Sequence, residues 1–234
     1  MNRKLLSALV VVFLCSICSM AQFEHPDLKS GKKSVRSFLL MPVQVQLTKV
    51  SMKGSEPMME ESAETERALT PVIVSVLQEL GYKLDRESLG ASQLEKDSDL
   101  RYAVDDLQKK FDAELQQMNK KSKDVRKGRF TLGDEVAKLP AGDKVDALLF
   151  VRARGQVLTG GKKAFGYLVA GSPYDSAMMD FGVVDAANGD VLYFARPMML
   201  KNIAKDTEKT SGNVKKSFKN FVKASPAGSA PEGK

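Results

Sequence analysis

Two hydrophobic rhythms alternate along this chain. Val35 to Leu47 contains Phe38-Leu39-Leu40-Met41-Pro42-Val43, a near-continuous apolar run that suits a strand buried on both faces. Pro42 has no backbone donor, so a bulge, a bend or a sheet edge is expected there. Residues 48–61, with Gly54, Pro57 and several acids, read as an exposed loop. The rhythm then shifts to three- and four-residue steps. Leu69, Val72, Ile73, Val76, Leu77 and Leu80 share one face of a helix over Ser62–Gly81. Glu64 and Glu66 suit its N-terminal end, and Gly81 suits its C-cap. Pro71 leaves two alternatives, a kink in that helix or a start at Thr70 with Pro71 in the first turn. Tyr82-Lys83-Leu84 is a short exit segment with room for a small strand.

A second amphipathic helix is predicted over Asp99–Asn119, with Leu100, Val104, Leu107, Phe111, Leu115 and Met118 as its apolar stripe. Residues 119–130 are basic, and a short helix is expected over Gly133–Leu139. Strand rhythm returns at Val145–Leu158, with Ala147, Leu149, Val151 and Ala153 on one side. Thr159–Lys163 reads as a hairpin loop and Ala164–Ala170 as its return. Ser176–Asp185 places Ala177, Met179, Phe181 and Val183 on one face. Asn188-Gly189 is a tight-turn signal, because both residues tolerate positive φ, and Asp190–Arg196 closes that hairpin. A basic amphipathic segment covers Met198–Val222, and the Ala-, Ser-, Pro- and Gly-rich residues 224–234 read as a disordered tail.

This order predicts an α/β fold, an α+β sandwich. A mixed, mostly antiparallel sheet carries two long helices packed on it and a C-terminal amphipathic helix. One domain is expected over residues 35–223, preceded by a linker at 22–34. No internal repeat is visible.

The N-terminus changes the picture of where this domain works. Asn2-Arg3-Lys4, the apolar run Leu5–Cys18 and Ser19-Met20-Ala21 have the tripartite order of a cleavable secretory signal peptide over residues 1–21. The run is shorter than the roughly 20 apolar residues of a stable span. Cys15 follows Leu14 and Cys18 follows Ile17, so neither fits a lipidation site. A periplasmic or extracellular chain starting at Gln22 is the expectation. Both cysteines lie inside that peptide, which leaves no thiolate, disulfide or cysteine metal site afterwards. The formal charge of +7 falls to about +5 without Arg3 and Lys4. That surplus does not indicate nucleic-acid binding, but exposed lysines attract anionic envelope surfaces.

Candidate chemistry is thin. His25, the single histidine, sits in the predicted linker and is expected to be solvated, which argues against zinc and against a Ser-His-Asp arrangement. Ser30 and Lys33 have the Ser-x-x-Lys spacing of penicillin-binding enzymes, but Gly31 disfavours the helix that chemistry needs. Gly155–Lys163 has the wrong spacing for a phosphate loop. The acid pairs Glu60-Glu61, Asp105-Asp106 and Asp97/Asp99 read as solvated faces, and no cofactor is expected. In the C-terminal segment Ile203, Thr207, Thr210, Val214, Phe218 and Phe221 share one helical face. Lys205, Lys209, Lys215, Lys216 and Lys219 fall largely elsewhere and are the candidate surface-binding residues. This helix either packs on the sheet or binds a surface.

Four segments together resemble a set of cell-envelope α/β proteins. Ser37-Phe38-Leu39-Leu40-Met41-Pro42 looks like their first strand. Val76–Leu84, ending Gly81-Tyr82-Lys83-Leu84, looks like their helix and exit strand. Asp146–Val151 is similar to their central strand, and Val183–Tyr193 to their final hairpin. The set includes the curli secretion channel protein, the lipoprotein activators of penicillin-binding proteins and the N-terminal domain of the Tol–Pal β-propeller protein. The resemblance implies a non-catalytic α/β domain that binds partners or assembles in the envelope, and a homo-oligomer is one form such assembly takes. Arg152, Arg154, Lys162 and Lys163 interrupt any lipid-facing stripe, so a pore is not expected. The sequence therefore points to an exported, non-enzymatic protein that binds envelope proteins or cell-wall polymer. A carboxylate-dependent hydrolase acting on envelope glycans is the alternative, since that class needs two acids across a cleft and no histidine.

Overall fold

The computed structural model describes residues 22–120, 124, 127–139, 144–158, 176–200 and 207–226. The expected signal peptide, the Thr159–Lys163 loop, its return at Ala164–Ala170 and Lys205 lie outside them. The strands are β1 Gln22–Glu24, β2 Ser37–Leu40, β3 Gln44–Ser51, β4 Gly54–Pro57, β5 Lys83–Asp85, β6 Ala147–Leu158, β7 Ser176–Asp185, β8 Val191–Ala195 and β9 Met198–Leu200. The helices are α1 Pro26–Lys29, α2 Met59–Glu79, α3 Ala91–Lys96, α4 Ser98–Lys120 and α5 Thr207–Ala224, with a 3₁₀ turn at Asp134–Lys138.

The described strands join one mixed sheet, an α/β fold with mostly antiparallel pairing. At its centre β6 and β7 run antiparallel, from Ala147 opposite Asp185 to Gln156 opposite Ser176. The other edge of β6 carries two parallel strands end to end, β2 against Ala147–Leu149 and β3 against Arg152–Leu158. The apolar run Val35–Leu47 is therefore two strands, broken where Pro42 cannot donate. Across the break Met41 N–H donates to the Leu149 carbonyl at 3.0 Å, and the Pro42 carbonyl accepts from Gln108 Nε2 at 2.9 Å. The far edge of β7 also carries two strands end to end, both antiparallel to it, β8 along Phe181–Val184 and β9 along Ser176–Met178.

Alternation along β6 and β7 feeds two cores. Leu149, Val151, Ala153, Met179, Phe181 and Val183 face α2 and α5. Leu148, Phe150 and Val184 face α4, whose Val104, Leu107, Phe111, Leu115 and Met118 are all buried. The two long helices thus lie on opposite faces. A Cβ at Gly182 would collide with the Phe111 ring, which stacks on Phe150 at 4.4 Å between centroids. Only glycine lets α4 lie this close to the sheet.

Pro71 lies inside a continuous α2 on its solvent side, so water can take the Arg67 carbonyl that proline leaves unbonded. The helix closes in a Schellman motif. Gly81, at φ +89°, donates to the Gln78 carbonyl at 2.9 Å and Tyr82 donates to that of Leu77 at 3.0 Å.

Three expectations are corrected. Residues 48–61 are not a loop: β3 runs to Ser51, turns back as β4, and α2 starts at Met59. Residues 22–34 are not a linker. Phe23 pairs with Phe194 as β1 joins β8, and Leu28 is fully buried. His25 is accordingly buried rather than solvated, and its Nδ1 caps α1 by accepting from Asp27 N–H at 3.1 Å. At the other end, residues 224–225 do not belong to a tail. Ala224 completes α5, and the fully buried Ser225 Oγ accepts from Val35 N–H at 2.6 Å and donates to the Val35 carbonyl at 3.0 Å.

Aromatic contacts fasten α5 to the sheet. Phe218 meets Phe181 edge-on at 5.3 Å, and Phe221 packs on Phe38, Tyr82 and Tyr193. Tyr82 Oη donates to the Ser225 carbonyl at 2.7 Å and Tyr193 Oη to that of Ser217, and burial pushes both phenols above their ordinary pKa.

Leu149→Ala and Phe181→Ala should each cost about 2–5 kcal/mol in denaturant unfolding, the range for emptied core sites. Ser225→Ala should cost about 1–3 kcal/mol, because the Val35 N–H is left buried and unpaired. An unfolding midpoint equal to wild type in all three variants would contradict this packing.

Candidate functional site

Past Phe150 and Gly182 the face of the sheet that meets α4 turns from apolar to charged. The next residues on that face are Arg152 and Arg154 of β6, Asp180 of β7, and Gln44 and Gln46 of β3, set opposite the arginines by the parallel register. Arg152 is only 7% exposed. Its guanidinium donates to Gln44 Oε1, to the Gln108 carbonyl at 2.5 Å and to Gln108 Oε1 at 3.0 Å. Its Nε approaches Asp112 Oδ1 at 2.8 Å as an ion pair, without hydrogen-bond alignment. The cation also lies 5.7 Å from the centre of the Phe111 ring.

Asp180 is almost fully buried between two further arginines. Arg154 Nη2 donates to one carboxylate oxygen at 2.8 Å, and Arg196 Nε, from the end of β8, donates to the other at 2.5 Å. The result is a fixed Arg–Asp–Arg bridge across neighbouring strands. Burial raises the Asp112 pKa, outweighing Arg152 and Arg154, and it lowers that of Arg152 despite Asp112 and Asp180.

A polar cleft of about 480 Å³ opens beside this network between β3, β6 and α4, lined by Gln44, Gln46, Asp112, Gln116, Arg152 and Arg154. Glu66 reaches it from α2 with its pKa raised by burial. Arg152 and Arg154 oppose the rise at Asp112, as Arg67 opposes it at Glu66.

The residues singled out by sequence are dispersed. Ser30 Oγ donates to the Asp27 carbonyl while Lys33 is bound to Asp185, so the Ser-x-x-Lys pair does not converge. Asp97 caps α4 through Leu100 N–H at 2.8 Å, and Asp106 pairs with Lys110, which also reaches Glu135 at 2.6 Å. Asp97, Asp99, Asp106 and Glu135 nonetheless surround a cavity of about 510 Å³ with Tyr102 and Lys138. Among the described residues no group of three or more His, Cys, Asp or Glu is placed to hold a metal ion, and no helix is long and apolar enough to cross a membrane. On α5, Thr210, Val214, Phe218 and Phe221 point into the core, while Lys209, Lys215, Lys216 and Lys219 are exposed. Lys215 pairs with Glu79 of α2 at 2.5 Å, which lowers the Glu79 pKa.

The charged network did not stand out in the sequence. Arg152 and Arg154 read there as interruptions of an apolar stripe, and Asp180 as one polar position in a strand. The available signal was that all three fall on the same alternation phase as Leu148, Phe150 and Val184.

No protein-family model matches the chain, and no curated protein sequence matches it. Among solved structures it is similar to the PelC dodecamer from Paraburkholderia phytofirmans, at 8% identity over 84% of this chain and 91% of that one, with a TM-score of 0.36. It is also similar to the lipoprotein GNA1162 from Neisseria meningitidis, at 12% identity over 81% of this chain and 99% of that one, with a TM-score of 0.39. Similarity at that level transfers no function.

Asp180→Ala should destabilise by about 1–3 kcal/mol, since it leaves two arginines side by side without their shared acceptor. Combining it with Arg154→Met should recover part of the loss. Strict additivity in that cycle would show that the bridge is not an interacting unit.

Proposed function

We propose that this chain is an exported, non-enzymatic cell-envelope protein that acts by binding protein partners or cell-wall matrix. The observation that carries the reading is the charged half of the sheet face, where Arg152, Arg154 and Arg196 are held by Asp112, Asp180 and glutamine side chains. Groups fixed before a ligand arrives lose little freedom on binding it, which is the property of a recognition surface. The tripartite residues 1–21 and the order of envelope-type motifs support the compartment.

The exposed lysines Lys209, Lys215, Lys216 and Lys219, together with Lys205, supply a weak contact to anionic envelope surfaces. The apolar side of α5 is committed to the core, so that contact is electrostatic and needs no insertion. Self-assembly belongs to the same reading, and nucleic acid does not.

A second reading, glycan hydrolysis, is favoured by one observation: Glu66 and Asp112, both with raised pKa, line one cleft. The Arg152–Asp112 ion pair, which engages one carboxylate oxygen with a fixed cation, weighs against an acid and base working together.

The protein purified from its native envelope should begin at Gln22 and cosediment with isolated cell-wall sacculi or with an envelope protein. It should release no reducing sugar from that wall. Retention on anionic vesicles should fall steeply between 0.1 and 1 M salt, where the Debye length drops from about 10 to about 3 Å. Reducing-end release that Asp112→Asn abolishes would replace the binding reading with the hydrolytic one.

A further inference from the structure

We propose that the cleft between β3, β6 and α4 binds an uncharged ligand rich in hydroxyl and amide groups, of the saccharide class. This deepens the binding reading above and rests on it. The cleft's volume of about 480 Å³ falls within the roughly 300–1,000 Å³ of small-molecule sites. The side chains lining it are amides and charges, and Val45 and Ala153, which also border it, belong to the core on the opposite face of the sheet.

Charge decides the ligand class. Arg152 and Arg154 line the cleft together with Glu66 and Asp112, and Asp180 is held between Arg154 and Arg196 beside it, so charges of both signs face the opening. An anion or a cation entering this site meets repulsion as well as attraction and must also be desolvated. What the cleft offers without opposition is hydrogen bonding. Arg152 holds Gln44 by its Oε1, which leaves the Gln44 Nε2 amino group as a donor. Asp112 lines the cleft, and Arg152 Nε engages only its Oδ1. Gln46 and Gln116 add amides with both donor and acceptor capacity. A pyranose carries hydroxyls that donate and accept, and its N-acetyl group repeats that pairing, so the alternating set along the walls is met without a net charge.

Preorganisation distinguishes this cleft from an exposed polar patch. The buried Arg152 of β6 is fixed by contacts from two other elements, Gln44 of β3 and Gln108 and Asp112 of α4, and in turn holds Gln44 and Asp112 where they line the opening. Arg154, half-exposed, is tied through Nη2 to the buried Asp180 and keeps its other N–H groups as donors.

Isothermal titration of the full mature protein with an N-acetylglucosamine tetramer tests the assignment. The fully deacetylated cationic tetramer and an oligogalacturonate serve as charged probes. Saturable binding of the acetylated tetramer alone is expected, with Gln46→Ala and Gln116→Ala each weakening it about five- to tenfold. Both glutamines are exposed, so the variants should melt with wild type. No heat from the acetylated tetramer, tighter binding of either charged probe, or affinity unchanged in both variants would overturn the site. Failure here with wild-type retention on sacculi intact removes the cleft and leaves the binding reading. Loss of that retention as well removes both.

Discussion

The antiparallel pairing of β6 with β7 is the constraint on which the rest depends, because both faces of that pair are buried at once. A strand with one wet face tolerates polar residues at every second position, but one between two helical layers does not. Leu148, Leu149, Phe150 and Val151 are consecutive and all buried, so a one-residue slip would exchange the sets that face α2 with α5 and the set that faces α4. The register is fixed further by Gly182, the one glycine of β7, since a Cβ at that position would collide with Phe111. Packing thus selects both the pairing and the height of α4 over the sheet.

The same constraint explains where the charged network sits. Fully apolar strands can continue only as far as helices cover them. Where that cover thins, the phase that was Leu148 and Phe150 becomes Arg152 and Arg154, and the buried cation must be satisfied from all sides. Gln44, Gln108 and Asp112 do this from β3 and α4, with the ring of Phe111 beneath. The Pro42 break contributes as well. It ends β2, lets β3 start opposite Arg152, and frees a carbonyl that holds Gln108. A residue read as a disruption of one strand is thus the joint that brings two strands and a helix to the site.

Periodicity over long elements was legible in the sequence, and junctions were not. The stripes of α2 and α4, the phase of β6 and β7 and the Asn188-Gly189 turn follow from local spacing alone. The short elements at 22–34 and 54–57 carry too few residues for a rhythm and exist because a distant edge accepts them: β1 needs β8, and Leu28 needs the core beneath it. Ser225 is similar, a polar residue in a biased tail whose role is set by Val35 across the fold. The site was least legible, because its defining feature is convergence. Gln44, Gln108, Asp112, Arg152 and Asp180 lie far apart in sequence, and each is unremarkable alone.

The position of α5 settles how a basic amphipathic helix divides its two faces. Had the apolar side been free, Phe218 and Phe221 would have offered an anchor for a lipid interface. They are instead fully buried among Phe38, Tyr82, Phe181 and Tyr193, so withdrawing them toward a membrane would open the core they close. That cost is of the order of a large-to-small core change at each ring, about 3–5 kcal/mol, whereas a juxtaposed lysine contributes about 1 kcal/mol at an anionic surface. The few lysines on the outer side cannot offset the loss of two rings, so α5 stays docked. Any surface it meets is met across solvent, by charge alone.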